Sequence, residues 1–262
     1  MNQRRMRPAP FYARRIRHTS MISVRNLTKR FGSNVAVDNL TLQVDPGEFF
    51  CFLGPNGAGK TTTIKMLTGL LHPTEGAAVV GGFDIQREPV KAKALLGYIP
   101  DMPFLYEKLT GREFMRFVAG LYHMSDGYAA RRTEELLELF EVRDVGDQLI
   151  EDYSHGMRQK LSFAACFLHE PRVVIVDEPW VGLDPKNIRF VRNFLKEKTR
   201  EGLTVFMSTH SLGIIEDVAD RIGIIHRGRL LHTGSLADIL ALSRNPGSLE
   251  DVFLELTEEA AS

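Results

Sequence analysis

The sequence predicts an α/β fold: a mixed or parallel sheet with covered faces, carrying an inserted helical lobe. Strand-like segments recur near both ends of the chain, around 22–31, 35–44, 48–53, 172–176, 204–208 and 221–225. Between them, residues 101–169 have helical spacing instead. Strands and helices alternate around that insertion, the order that buries a sheet between layers. A chain of 262 residues is long enough for one large α/β domain, or one domain with a lobe set into it.

The first twenty residues hold six arginines and no acid, which leaves 27 basic against 33 acidic residues in the rest. This leader has no apolar run of secretory-signal length. It is expected to be a flexible arm, with Met21 as a candidate start; contact with anionic lipid is the alternative. Formal net charge is zero, with 44% hydrophobic and 25% charged residues, so no basic excess points to a nucleic-acid partner. Cys51 and Cys166 sit in separate apolar runs and form no disulfide framework, which fits a reducing compartment. No stretch reaches the 18 or so apolar residues that a membrane span needs.

From Met21 the segments ISVRNLTKRFG, VAVDNLTLQV and GEFFCFLG read as strands, separated by Gly32-Ser33-Asn34 and Asp45-Pro46-Gly47. A helix is expected over 60–70, stopped by His72-Pro73. In the lobe, Thr110-Gly111-Arg112-Glu113 has capping-box spacing. A second helix over 129–140 places Leu136, Leu137 and Phe140 on one face, and a third from Ser154 turns Leu161, Ala165 and Leu168 inward. After the later strands come a segment at 235–242, a turn at Asn245-Pro246-Gly247, and a last helix from Ser248. Its apolar face is Leu249, Val252, Phe253 and Leu256.

Gly54-Pro55-Asn56-Gly57-Ala58-Gly59-Lys60-Thr61 matches G-x-x-x-x-G-K-[ST], between the strand FFCFL and a helix. Glycines let the backbone curl so that several N–H groups face one point, and the helix N-terminus adds partial positive charge. Lys60 can reach β- and γ-phosphates, the Thr61 hydroxyl can bind Mg²⁺, and Thr62 offers a further hydroxyl. A chance glycine-rich turn is disfavoured by the strand–loop–helix setting. Farther on, four apolar residues, 173–176, deliver Asp177 and Glu178 at a strand's C-terminal end, where ligands of open α/β sheets bind. Asp177 suits holding Mg²⁺ through its water shell, and Glu178 suits polarising an attacking water as general base. Alone, such a pair is usually solvated; beside the phosphate cradle it becomes a strong signal.

With these motifs in order and at their spacing, the sequence resembles the ABC ATPase family over about residues 21–242. The resemblance implies a P-loop NTPase core, an antiparallel β subdomain and a helical lobe at about 101–169, followed by a short helical tail at 243–262. It implies ATP and Mg²⁺ as ligands. Tyr153-Ser154-His155-Gly156-Met157 stands at the family's signature, usually L-S-G-G-Q; Ser154 and Gly156 match, while Tyr153, His155 and Met157 depart. By resemblance, Ser154, Gly156 and Met157 meet the γ-phosphate of ATP held by the opposite subunit. Gly182-Leu183-Asp184-Pro185 resembles the loop that crosses the dimer interface, with Asp184 in it. Ser208-Thr209-His210 resembles the switch motif whose histidine contacts the γ-phosphate. Phe31 stands where the family stacks an aromatic on adenine; a core phenylalanine is the alternative. Trp180 reads as packing. Asp101 replaces the family's usual Gln and is expected to join Thr61 and Asp177 at the metal; a solvated loop carboxylate is the alternative.

The tail from Ser248 looks like the short C-terminal helix of bacterial exporter ATPases. This implies export driven through a permease on a separate chain, by a homodimer or heterodimer of ATPase subunits peripheral to the cytoplasmic face of the membrane. A soluble ABC ATPase in DNA repair, chromosome organisation or translation is the main rival, but no coiled coil, zinc module or second cassette is present. A small-molecule kinase lacks the signature and switch motifs. An inactive cassette conflicts with intact catalytic positions.

Overall fold

The computed structural model describes residues 20–180, 184–243 and 248–259. The arginine-rich leader up to residue 19, Gly182 and Leu183 of the interface loop, and the Asn245-Pro246-Gly247 turn lie outside the described residues.

The chain opens with strands β1 (Ile22–Phe31) and β2 (Asn34–Val44), which pair antiparallel across the turn at Gly32. Strand β3 (Phe49–Leu53) leads into helix α1 (Lys60–Leu67). This helix is shorter than its apolar spacing suggests. Thr68 caps it, and Gly69 turns left-handed at φ 68°, so the stop comes before His72-Pro73. Next come β4 (Glu75–Val80), the two-residue β5 (Phe83–Asp84), α2 (Pro89–Lys93) and β6 (Leu96–Ile99).

The helical lobe follows. Helix α3 (Gly111–Leu121) has the expected capping box: Glu113 N–H donates to the Thr110 hydroxyl, and the Glu113 carboxylate accepts from Thr110 N–H. Helix α4 (Asp126–Leu139) buries Leu136 and Leu137, and Phe140 beyond it is also buried. A 3-10 turn (Ile150–Asp152) then leads to α5 (His155–Cys166), capped by Ser154. The rest is β7 (Val173–Asp177), α6 (Pro185–Arg200), β8 (Thr204–Thr209), α7 (Leu212–Val218), β9 (Arg221–His226), β10 (Arg229–Gly234), α8 (Leu236–Leu240) and α9 (Leu249–Glu259).

Among the described residues the strands form two sheets. Order β10-β9-β3-β8-β7-β6 makes the main sheet, parallel except for the edge pairing of β10 with β9. Order β2-β1-β4-β5 makes an antiparallel sheet. The central strand explains the layering. Phe50 and Phe52 of β3 face one core with Phe206, α1 and the antiparallel sheet. Phe49, Cys51 and Leu53 face the other, with the helical lobe and helices α6 to α9. A strand buried on both faces needs an unbroken apolar run, and FFCFL supplies it. The parallel strands therefore all end on one side, where the loops after β3, β7 and β8 converge. No helix among the described residues is long and apolar enough to cross a membrane.

Candidate nucleotide-binding and catalytic site

The loop after β3 is shaped by its glycines. Gly59 sits at φ 106°, and a Cβ there would lie 2.6 Å from the Ala36 carbonyl oxygen. A Cβ on Gly54 would strike the Ile225 carbonyl. The α1 ladder begins with Thr63 N–H on the Gly59 carbonyl, at 2.9 Å. The amides before Thr63 stand outside that ladder, at the positive end of the helix. Pro55, Asn56, Gly57 and Ala58 complete the curl, with Ala58 N–H on the Pro55 carbonyl at 3.2 Å.

The Lys60 side chain is buried, and its ammonium lies over the cradle. It donates to the Gly54 carbonyl at 2.7 Å and the Pro55 carbonyl at 3.2 Å. It also lies 3.5 Å from Glu178 Oε1. Thr61 is exposed at the cradle rim and Thr62 half-buried. The sheet brings Asp177 beside Ser208 by pairing β7 with β8. The Ser208 hydroxyl donates to Asp177 Oδ1. Asp177 is fully buried, and its Oδ2 has no hydrogen-bond partner. Burial raises its pKa, Ser208 and Thr61 pull it back, and the nearby charges of Asp101 and Glu178 raise it further. The same influence of Asp101 reaches the half-buried Tyr98 phenol, whose pKa is raised chiefly by desolvation. Asp101, exposed and accepting from Met102 N–H at 2.9 Å, thus stands close enough to act on Asp177.

Glu178 has φ 45°, a left-handed backbone that a non-glycine residue adopts at some cost. Its N–H is held by the Ser208 carbonyl at 3.2 Å. This turn aims the carboxylate between two side chains: the Lys60 ammonium on one side, and the His210 imidazole on the other, with Nδ1 at 2.9 Å from Oε2. The His210–Glu178 contact is not legible from sequence, because 32 positions part the two residues and only the β7–β8 pairing joins them. A second supporting feature also lay hidden. Gly228, in the β9–β10 turn, donates to the Ala58 carbonyl and accepts from Asp38 N–H, both at 2.8 Å, so it props the phosphate loop from outside.

Phe31 is half exposed at the end of β1, and the Lys29 ammonium lies 5.1 Å from its ring centre. It is a surface aromatic, not a core one. Ser154, at the start of α5, is exposed and accepts from Met157 N–H at 3.3 Å. A Cβ on Gly156 would meet nothing within 4 Å, and Met157 is half-buried against the lobe core. Within the described chain these three stand on the lobe, apart from the strand-end constellation. Asp184 caps α6: it accepts from Asn187 N–H at 2.9 Å and from the Asn187 amide at 2.6 Å, which lowers its pKa.

Residues 37–181 match the ABC transporter family, over more than half of the chain. The chain belongs to the ABC transporter family. It is 39% identical over 220 residues to the uncharacterized ABC transporter ATP-binding protein YhcH of Bacillus subtilis, covering 84% of this chain and 71% of that protein. It is 35% identical over 237 residues to the linearmycin resistance ATP-binding protein LnrL of the same organism, covering 90% and 75%. Among solved structures, an ATP-binding subunit of an ABC transporter superposes with a TM-score of 0.85 at 35% identity, covering 91% of this chain and all of the other. A dimeric bacterial ABC transporter cassette superposes with a TM-score of 0.76 at 25% identity, covering 82% and 99%.

This ABC ATPase therefore binds and hydrolyses ATP. The donor set also fits a hard divalent cation. A buried carboxylate oxygen without a donor partner, in Asp177, is unfavourable by itself, and an oxygen-loving cation removes that penalty.

Proposed function

We propose that this ABC ATPase powers export through a permease carried on a separate chain. Its two sites would form between paired ATPase subunits. One observation carries the catalytic reading: Lys60, Asp177, Glu178 and His210 converge on one cradle although three separate strands, β3, β7 and β8, lead to them. In this reading Lys60 leaves the Gly54 and Pro55 carbonyls for the β- and γ-phosphates. Asp177, with Thr61 and Asp101, would hold Mg²⁺, which supplies charge neutralisation at the phosphates. Glu178 accepts the proton of the attacking water, and His210 orients its carboxylate and reads the γ-phosphate. Phe31 offers a stacking face to adenine. Ser154, Gly156 and Met157, at the start of α5, would close the site from the opposite subunit, with Asp184 at the seam.

Support for a membrane partner comes from the lobe. Met102, Phe104 and Tyr106 are exposed in the loop after β6, Phe104 at 87%. Phe117 and Leu121 of α3 are exposed too, beside a groove of about 490 Å³ lined by Leu109, Glu113, Arg116, Phe117, Gly120 and Leu121. Tyr106 packs edge-on against Phe117, with ring centres 5.2 Å apart, so loop and helix share exposed apolar surface of the kind that marks a protein contact. A permease docked there would hold the ATPase at the cytoplasmic face of the membrane. Export is favoured because relatives such as LnrL are named for antibiotic resistance.

The deciding experiment replaces the chain in its host with Lys60→Ala. Membrane fractions should retain the variant, ATP hydrolysis by the purified chain should vanish, and the host's antibiotic resistance should fall as in a deletion strain. A wild-type resistance profile would sink export. Recovery of the wild-type chain only in the soluble fraction would favour a non-transport ABC ATPase.

A further inference from the structure

One side chain, Arg158, reaches from the start of α5 to a distant loop. Arg158 turns back across the helix N-terminus: Nε donates to the Tyr153 carbonyl at 3.2 Å, and one Nη donates to the Glu151 carbonyl at 3.0 Å. The other Nη meets the Glu107 carboxylate at 2.8 Å. Glu107 lies in the loop after β6, between Asp101 and the start of α3, where Met102, Phe104 and Tyr106 are exposed. Main-chain bonds draw the same two segments together, Glu151 N–H to the Glu107 carbonyl at 3.1 Å and Ile150 N–H to the Leu109 carbonyl at 2.9 Å. Lys108 adds an ion pair to Glu151 at 2.5 Å.

We propose that Arg158 is a positioning residue for ATP hydrolysis: it locks the Ser154 end of α5 to the loop at 101–110, so that both move as one body. The inference rests on the reading of Ser154 and Gly156 as half of a shared ATP site. A planar guanidinium suits the task because its fork serves three acceptors in fixed directions; a lysine ammonium offers a point charge on a flexible stem. The Glu107 end of the pair is exposed and the Arg158 end half-buried, so its worth to overall stability is small. Its value is geometric. Exposed aromatics on the loop would take up force from a docked partner, and Arg158 would pass that displacement to Ser154 and Gly156. Asp101, near Asp177, stands at the other end of the same loop.

The test is steady-state ATP hydrolysis by the purified full chain, with nucleotide affinity and thermal unfolding measured alongside. Arg158→Gln should lower kcat about tenfold while ATP affinity stays within about twofold and the melting temperature within about 2 °C. Glu107→Gln, which removes only the charged arm, should lower kcat about threefold. The double variant should be no worse than Arg158→Gln, since both act on one link. Gly156→Asp tests the underlying reading. Open space surrounds that Cβ and an acid suits the helix start, so the variant folds, but its carboxylate would repel a phosphate. Wild-type turnover in Gly156→Asp would sink the shared site and this inference with it. A dead Gly156→Asp beside a fully active Arg158→Gln would sink the inference alone. A fall in affinity and melting temperature in step with kcat would make Arg158 merely structural and overturn the proposal. Should Arg158→Gln not fold, unchanged kcat in Glu107→Gln overturns it equally.

Discussion

Replacing His169 by Gln should flatten the acid side of this protein's stability curve. The His169 ring stacks on Tyr122, with centroids 3.7 Å apart and planes 9° from parallel. Nε2 faces the Leu96 carbonyl at 3.2 Å, so the proton belongs on that nitrogen; Nδ1 is buried without a partner. Burial pushes the imidazole down from 6.5 to about 4, against the opposing pull of the Leu96 carbonyl. Above pH 6.5 the ring is neutral in both the folded and the unfolded chain, and the folded state bears no penalty. Below it, the unfolded chain takes up a proton that the folded chain refuses, and stability drains until about pH 4. At pH 5 the loss relative to pH 8 is ~2 kcal/mol, from 1.36 kcal/mol per pH unit. A glutamine amide can still donate to Leu96 and does not titrate. Glu48 and Asp177, whose pKa values burial raises, titrate in both proteins and cancel in the comparison. Urea midpoints measured from pH 8 to pH 5 should show wild type losing ~2 kcal/mol more than His169→Gln. Parallel pH dependences would refute the buried neutral histidine.

Glu178→Gln should cut turnover by about 10²-fold or more while ATP still binds, and ATP should then hold a dimer visible by size-exclusion chromatography. Normal hydrolysis would remove Glu178 as the base. Gly59→Ala should abolish ATP binding and cost ~1–3 kcal/mol of stability, because its Cβ meets the Ala36 carbonyl at 2.6 Å and φ is 106°. Nucleotide affinity and thermal melting report both effects. Cys51 and Cys166 are buried, and burial pushes their thiols well above the usual range. Both should resist a thiol reagent in the native protein and react fully in guanidinium; fast native labelling would contradict the packing.

Much of this protein is written in local pattern. The run FFCFL announces a strand buried on both faces, because only apolar side chains survive there. The glycines from 54 to 59 announce a phosphate cradle because the backbone must curl left-handed and approach other main chain closely. Thr110 and Ser154 announce helix starts by side-chain caps, and the structure has both. The family, the ATPase activity and the α/β class follow from such signals and their order.

Other features were decided by tertiary structure. Strand β4, EGAAVV, has no alternation to mark it, and becomes a strand because β1 pairs with it. Helix α6 carries a heavily charged surface and is anchored by the Asp184 cap and a buried row at Val191, Phe194 and Leu195. Strand β10 lies at the sheet edge with no residue but Leu230 and Leu231 to pack inward, so its place depends on the hairpin through Gly228 that also supports Ala58. No spacing rule reveals that Ser208 holds Asp177, that His210 reaches Glu178, or that Arg158 reaches Glu107. Local sequence determines which conformations are cheap and which side chains carry the chemistry. Which of those side chains meet is set by parallel pairing across the main sheet and by closure of the lobe, contacts that exist only once the chain has folded.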